Sequence, residues 1–300
     1  MRGPASGTIA PERTSMTATT VMTAEQRRLF DENGYVVVPG ALGPDEVESY
    51  ASAVDAAYDH ELWTGGADAD GSLHRLDAVA ACPAVADLVD HPATFPLVWS
   101  VLGWNVHMYH SHLDVHPPPP EPPPYRWRWH QDGGRQNIEL ETDPRPRMSV
   151  YVAFWLSDLS QTGRGNLAVI PGSHRINWLP GPPGPTIEWP TPAGAVEITA
   201  EPGDAVMFDR RIWHVRSVNR SDMVRKAVFF GYTYRWVVRR DEGADHLPGL
   251  TPIQRQMLGA GDGTGDGQWG HRPDEVPLYV DLRARGLLDP ANRPLKRLFP

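Results

Sequence analysis

The run Trp129-His130-Gln131-Asp132-Gly133-Gly134 places an imidazole and a carboxylate two residues apart. On extended chain such positions project from one face, so His130 and Asp132 can meet a single metal ion. Further on, Gly203-Asp204-Ala205-Val206-Met207-Phe208 reads as a turn and strand leading through Arg210-Arg211-Ile212-Trp213 to His214. A second β element thereby delivers a second imidazole. Two histidines and one carboxylate on one side of an ion leave the opposite positions open, the ligand set of non-haem iron sites that must also admit a cosubstrate and dioxygen. Arg225 opens the strand Arg225-Lys226-Ala227-Val228-Phe229-Phe230, and its guanidinium can grip the far carboxylate of a dicarboxylic acid in two parallel hydrogen bonds. Each residue alone has a plainer reading: a surface His130, a capping Asp132, a His214 at the edge of a core, a solvated Arg225.

Other residues compete for the same chemistry. His110, His112, Asp114 and His116 alternate along residues 105–116 and share one face, which describes either a rival metal site or a wall of the same cavity. Around the His-x-Asp motif, Trp127 and Trp129 alternate with Arg126 and Arg128, and Arg135 follows. They are core tryptophans with solvated arginines, or a substrate mouth with aromatic walls and a cation for an acidic group. The run PPPPEPPP at 117–124 cannot donate ladder hydrogen bonds and leaves the sheet as a polyproline-like loop, beside the site or as a ligand for a proline-binding module. Phe229, Phe230, Tyr232, Tyr234 and Trp236 read mostly as core, with Tyr232 a candidate to reach the cavity.

The elements that must position these residues are legible in outline. Thr23-Ala24-Glu25-Gln26 is a capping-box pattern that predicts a helix over 23–32, stopped by Gly34, before a strand Tyr35–Val38. A second helix runs from Pro44 to about residue 60, and weaker helical patterns lie at 84–90 and 94–102. From residue 105 the pattern turns to short β-rich runs at 105–116, 147–156, 166–170, 194–199, 203–208, 212–218 and 225–237. Short strands without intervening helices predict an antiparallel jelly roll rather than a doubly wound α/β sheet. One domain over 22–300 is expected, with a helical layer at 22–104, a β core at 105–238 and a C-terminal extension at 239–300, preceded by a disordered segment 1–21.

The order His130-x-Asp132, then Gly165-Asn166-Leu167-Ala168-Val169-Ile170-Pro171-Gly172-Ser173-His174, then Gly203-Asp204, Trp213-His214 and Arg225 resembles the phytanoyl-CoA dioxygenase family over roughly residues 22–236. These are iron- and 2-oxoglutarate-dependent oxygenases on a double-stranded β-helix. The resemblance implies Fe(II) on His130, Asp132 and His214, the distal carboxylate of 2-oxoglutarate on Arg225, and dioxygen as oxidant. It implies that the 105–116 strand contributes to the cosubstrate pocket, with His112 and, from the next strand, Ser149 as candidates; Trp129, Gln131, Arg135 and Tyr232 are candidates for substrate. His174 falls in what the family uses as a structural turn. The family's usual Asn-Gly appears here as Gly165-Asn166, a departure expected to adjust a turn without touching the ligands. Related halogenases keep a small residue where Asp132 stands, so the carboxylate points to hydroxylation, desaturation or ring-forming oxidation.

Composition narrows the partners. Lys plus Arg number 28 against 37 Asp plus Glu, a net charge of −9 without a long basic block, so nucleic acid and anionic membranes are not expected partners. No apolar run reaches the length of a membrane span, the first residues lack the apolar stretch of a secretory signal, and the single Cys82 fits a reducing cytoplasm. The expected protein is a cytoplasmic monomer or homodimer that oxidises a small natural-product or amino-acid-like molecule in bacterial secondary metabolism. An acyl-CoA would require a basic rim, for which Arg210, Arg211, Arg216 and Arg220 form the candidate patch. Two alternatives stand beside this one: a cupin-like metal protein that does not use 2-oxoglutarate, and a non-catalytic jelly-roll binding module.

Overall fold

The Thr23 hydroxyl accepts from Gln26 N at 3.1 Å while the Gln26 side chain accepts from Thr23 N at 2.9 Å, a reciprocal cap that starts helix α1, Ala24–Asn33. Gly34, at φ 84°, ends it in the left-handed conformation that glycine adopts without steric penalty. The computed structural model of the chain describes residues 7–9, 21–121, 126–184, 189–261 and 272–288. After α1 come β2 (Tyr35–Val38), α2 (Pro44–Thr64), β3 (Leu73–Leu76), α3 (Ala78–Ala81), a 3₁₀ segment Pro83–Asp90 and α4 (Phe95–Leu102). The β-rich part holds β4 (Val106–His116), the short α5 (Gln136–Glu139), β5 (Ser149–Trp155), β6 (Leu167–Val169), β7 (Val196–Ile198), β8 (Ala205–Asp209), β9 (His214–Arg216) and β10 (Arg225–Tyr234). Two short helices, α6 (Pro252–Met257) and α7 (Pro277–Ala284), follow.

The strands form two sheets: a six-stranded one ordered β2-β8-β5-β10-β4-β3 and a four-stranded one ordered β1-β7-β6-β9, with β1 (Gly7–Ile9) at its edge. Every pairing is antiparallel except that of β1, which lies parallel to β7. This is the expected jelly-roll, double-stranded β-helix fold with an N-terminal helical layer. The disorder expected for residues 1–21 is corrected at Gly7–Ile9, which pairs with the unpaired backbone groups of the open β7 edge. Residues 1–6 and 10–20 lie outside the described residues, as do Pro122–Pro124 of the proline run and the glycine-rich stretch from 262. The edge strand β3, which the sequence reading omits, pairs with β4 so that His74 faces Asp114.

Alternation divides the long sheet's side chains between two cores. Val150, Val152, Phe154, Val228, Phe230 and Tyr232 pack with Phe30, Val54 and Val98 of the helical layer. Tyr151, Ala153, Trp155 and Phe229 face Leu167, Val169 and Ile198 of the short sheet. Both faces of β5 and β10 are therefore dry, which explains their nearly continuous hydrophobic runs. The C-terminal extension docks through Gln256, which is buried, donates to Trp104 O and Val106 O, and accepts from Leu278 N.

Two features hold the approach to His214. At the turn before β8, Gly203 sits at φ 93° and an added Cβ would lie 2.6 Å from Leu42 O, while Asp204 accepts from Gly40 N and Glu201 N, both at 2.8 Å. Gly203→Ala is expected to lower unfolding stability by more than the ~1–2 kcal/mol of a left-handed alanine, because the backbone must also shift; urea denaturation checks this. At the other end of β8, Asp209 is buried between Arg147 and Arg211, each at 2.7 Å. Burial would raise its carboxyl, but the two guanidinium groups outweigh that and bring it down to about 2. A depressed carboxyl contributes stability that is complete above pH ~4 and lost as pH falls towards 2, here roughly 2 kcal/mol. Thermal unfolding should show a drop between pH 5 and 2.5 that is reduced in Asp209→Asn; an unchanged drop would place the acid sensitivity elsewhere.

Candidate metal centre

His130 and His214 are brought together by backbone: His130 N donates to His214 O at 3.1 Å and His214 N to His130 O at 3.0 Å. Their Nδ1 atoms lie 2.8 Å from Arg128 O and 2.9 Å from Ile212 O, so each Nδ1 carries the proton and donates it to a carbonyl. Both Nε2 lone pairs then face Asp132, His130 Nε2 at 3.7 Å from Oδ1 and His214 Nε2 at 3.5 Å from Oδ2. Burial lowers the His214 imidazole's pKa and keeps it neutral, the form that ligates. Two acceptors aimed at a carboxylate repel unless a cation lies between them. The arrangement fits a divalent metal, with backbone carbonyls fixing the imidazole tautomers.

Asp132 is placed by its backbone. Its N–H donates to Arg210 O at 3.0 Å, and its carbonyl accepts from Arg210 Nη1 at 2.9 Å and Asn137 Nδ2 at 3.0 Å. Gly133 follows at φ 126°, where a side chain would collide with Arg210 Nη1.

The three residues open into a cavity of about 840 Å³ between the two sheets, whose far wall includes His110, His112, Asp114, His116 and Arg225. The alternating face of β4 therefore lines the same cavity. Burial holds the His112 and His116 imidazoles down to about 3, hence neutral, and His112 stacks on Phe229 at 4.4 Å. His74 from β3 meets Asp114 at 2.7 Å, making His74, His112 and Asp114 a second group of close donors. Burial works against the Asp114 charge, but His74, His112 and Arg225 together hold its carboxyl well below the usual range. That carboxylate already has a cation, Arg225 Nη1 at 3.2 Å, whereas among the described residues the Asp132 carboxylate has no Lys or Arg partner, so of the two groups His130, Asp132 and His214 is the one whose charge is left open to a metal.

Arg225 is buried and stacks over Trp155 at 5.1 Å. Burial brings its guanidinium down to about 10, still charged at neutral pH, and among the described residues its Nε has no hydrogen-bond partner. A buried cation with an unused donor facing a polar cavity fits an incoming carboxylate. The Gly165-Asn166 departure bears on this residue: Gly165 is at φ 77°, and a Cβ there would lie 2.7 Å from Arg225 Cδ. Asn166 meanwhile donates to Leu159 O and Ile198 O.

Three expectations change. Gln131 points away from the cavity, as alternation between His130 and Asp132 requires, and is consumed by Ile176 O, Arg211 O and Arg145. Tyr232 lies on the helix-facing side of β10 and donates to Val89 O at 2.7 Å, because the odd-numbered Arg225 and Phe229 take the cavity face. Ser149 is buried at the start of β5 and is not part of the cavity lining. Trp129 keeps its place as a substrate candidate: it is buried, with the half-buried Trp127 beside it, in the wall of a space that adjoins the metal-facing cavity. Arg135 does reach the rim, paired with Glu139 at 2.6 Å, and His174 is buried against Gly34, outside the metal group. Arg210 and Arg211 are turned into internal hydrogen bonds and do not form a rim with Arg216 and Arg220. His74 could have been found only by recognising Leu73–Leu76 as a strand.

Residues 30–227 match the protein family described as phytanoyl-CoA dioxygenase. A probable phytanoyl-CoA dioxygenase of Caenorhabditis elegans is 21% identical over 248 residues, covering 71% of this chain and 75% of the relative. The ectoine dioxygenase of Nocardia farcinica is 25% identical over 237 residues, covering 69% and 76%. Among solved structures, HygX from Streptomyces hygroscopicus with nickel and 2-oxoglutarate bound aligns at a TM-score of 0.58 and 19% identity, over 75% of this chain and 93% of that one. The carbocyclase SnoK from nogalamycin biosynthesis aligns at 0.56 and 22% identity, over 80% and 94%. The family match spans most of the chain and contains His130, Asp132, His214 and Arg225, so this chain belongs to the phytanoyl-CoA dioxygenase family of non-haem iron, 2-oxoglutarate-dependent oxygenases.

Proposed function

We propose that the chain oxidises an unactivated C–H bond of a small natural-product or amino-acid-like molecule, with Fe(II) on His130, Asp132 and His214 and 2-oxoglutarate reaching to Arg225. The observation that carries this reading is the pair of tautomer-fixed Nε2 atoms facing a carboxylate that has no Lys or Arg partner among the described residues, in the same cavity as a buried arginine whose Nε has no partner among them. Iron and 2-oxoglutarate, when bound, supply the oxidant, as dioxygen is consumed and the cosubstrate is converted to succinate and carbon dioxide. The chain's own part is placement. Arg225 receives the distal carboxylate, His112 flanks it as a neutral imidazole, and Phe229 and Trp155 keep water from the guanidinium. Asp132 occupies the position that a halogenase leaves open, which favours hydroxylation, desaturation or ring formation. Among the described residues no helix is long and apolar enough to cross a membrane, and the buried free Cys82 suits a cytoplasmic setting.

Anaerobic titration with Fe(II) and 2-oxoglutarate tests the assignment. A weak visible charge-transfer band is expected, absent in His130→Ala. No band from folded protein with iron in excess would overturn it and favour a binding module, while iron retention without a 2-oxoglutarate response would favour the cupin-like alternative.

A further inference from the structure

The antiparallel bridge between His130 and His214 has a consequence two residues away. In that register Arg128 lies across from Arg216, each on the same face as the neighbouring metal-facing histidine. Two guanidinium groups thus oppose each other about 7 Å along the strands from the two imidazoles. Like charges directly opposite are unfavourable, and here neither has a carboxylate within ion-pair distance among the described residues. Arg216 is half-buried and Arg128 exposed. Asp70, a carboxylate that lines the same wall, is engaged by the Ser72 hydroxyl and backbone N–H, at 2.5 and 2.9 Å, and Asp114 across the metal-facing cavity is held by Arg225 and His74.

This arginine pair stands where the metal cavity opens into a second space of about 500 Å³, and both residues line both spaces. The walls of the second space include Trp127, Trp129 and Trp189, with Arg126 and Arg220 at its edge. The Trp127 indole N–H is buried there without an acceptor among the described residues. Guanidinium groups without a carboxylate partner among the described residues, an indole donor without an acceptor and aromatic walls converge on one concave space of ligand size. We propose that this side chamber is the substrate-anchoring subsite, and that the substrate carries an anionic group, a carboxylate or a phosphate ester, on an apolar ring or chain. The anion sits between Arg128 and Arg216, Trp127 and Trp129 flank the apolar body, and the carbon to be oxidised lies within a few bonds of the anion, towards His130 and His214. The assignment rests on the oxygenase reading for its chemistry, but the chamber's binding does not require iron.

Calorimetry on the metal-free, full-length protein separates the two questions, with 1-naphthyl phosphate, 1-naphthoate and uncharged 1-naphthol as probes. At least one anion should bind about tenfold or more tightly than the naphthol, and whichever anion is preferred identifies the headgroup. Arg216→Gln and Arg128→Gln should each remove most of that preference, and Trp127→Ala should weaken anion and naphthol alike. If Arg216→Gln does not fold, the exposed Arg128 carries the test, together with loss of the preference in wild-type protein as salt is raised. Equal binding of naphthol and anions, no binding of any probe, or an undiminished preference in folded Arg128→Gln would overturn the proposal. So would displacement of the anion by saturating 2-oxoglutarate, which would make the arginine pair part of the cosubstrate site. Loss of the iron and 2-oxoglutarate band with anion binding intact would instead count against the oxygenase reading alone.

Discussion

Asp132→Ala and His214→Ala are each expected to leave a folded protein that neither retains stoichiometric iron nor forms succinate from 2-oxoglutarate. Changing a residue that merely orients a metal ligand typically costs about 10–100-fold in affinity or activity, and removing a ligand should exceed that. Asp132 is the sharper test. Its removal leaves two neutral imidazoles and no negative charge to offset a divalent ion, while the backbone bonds that place the loop persist: Asp132 N to Arg210 O at 3.0 Å and Arg210 Nη1 to Asp132 O at 2.9 Å. Metal analysis after anaerobic reconstitution, succinate formation and circular dichroism together decide the matter. Wild-type iron content and turnover in Asp132→Ala would mean that the metal lies elsewhere, with His74, His112 and Asp114 the next group of donors.

Arg225→Gln should raise the KM for 2-oxoglutarate by about 100-fold or more without lowering iron affinity. Two charge-assisted hydrogen bonds at ~1.5–3 kcal/mol each set that scale. Arg225→Lys should recover little, since an ammonium lacks the planar fork and the stacking that Trp155 and Phe229 provide at 5.1 and 5.9 Å. Arg225→Gln also strands Asp114, whose buried carboxylate would keep the imidazoles of His74 at 2.7 Å and His116 at 3.6 Å but lose its guanidinium. Breaking a buried ion pair by removing one member costs about 3–5 kcal/mol. The double variant Asp114→Asn/Arg225→Gln should therefore regain much of the lost Tm while remaining unable to use 2-oxoglutarate at ordinary concentrations. A single variant that keeps the wild-type KM would remove Arg225 from the cosubstrate site.

The local pattern already contained a large part of this molecule. The Thr23 capping box, the turn to short β-rich runs after residue 105 and the two-residue spacing of His130 and Asp132 are local properties, set by hydrogen bonding within one turn or by the period of an extended strand. The side chains that alternate on β4 likewise had to share a face, and they do. Which face became the cavity was not local: Tyr232 and Arg225 lie on one strand, and only the packing of the helical layer against the even-numbered positions of β10 sent Tyr232 into a core and Arg225 towards the site. The same limit applies to Gln131, whose three partners come from residues 14 to 80 positions away in the chain. His74 stayed hidden because Leu73–Leu76 is a strand only by virtue of the β4 edge it pairs with.

By itself, then, the sequence determined the jelly-roll class, which follows from the short-range periodicity of its β-rich runs, and the resemblance carried by the order of its motifs pointed to the family and to His130, Asp132, His214 and Arg225, which the fold gathers around one cavity. Tertiary structure alone decided that Asp114 neutralises Arg225, that Arg128 opposes Arg216, and that Trp129 walls a side chamber rather than the metal. Those relations arise between segments far apart in the chain, where register and packing, not propensity, determine which charges meet.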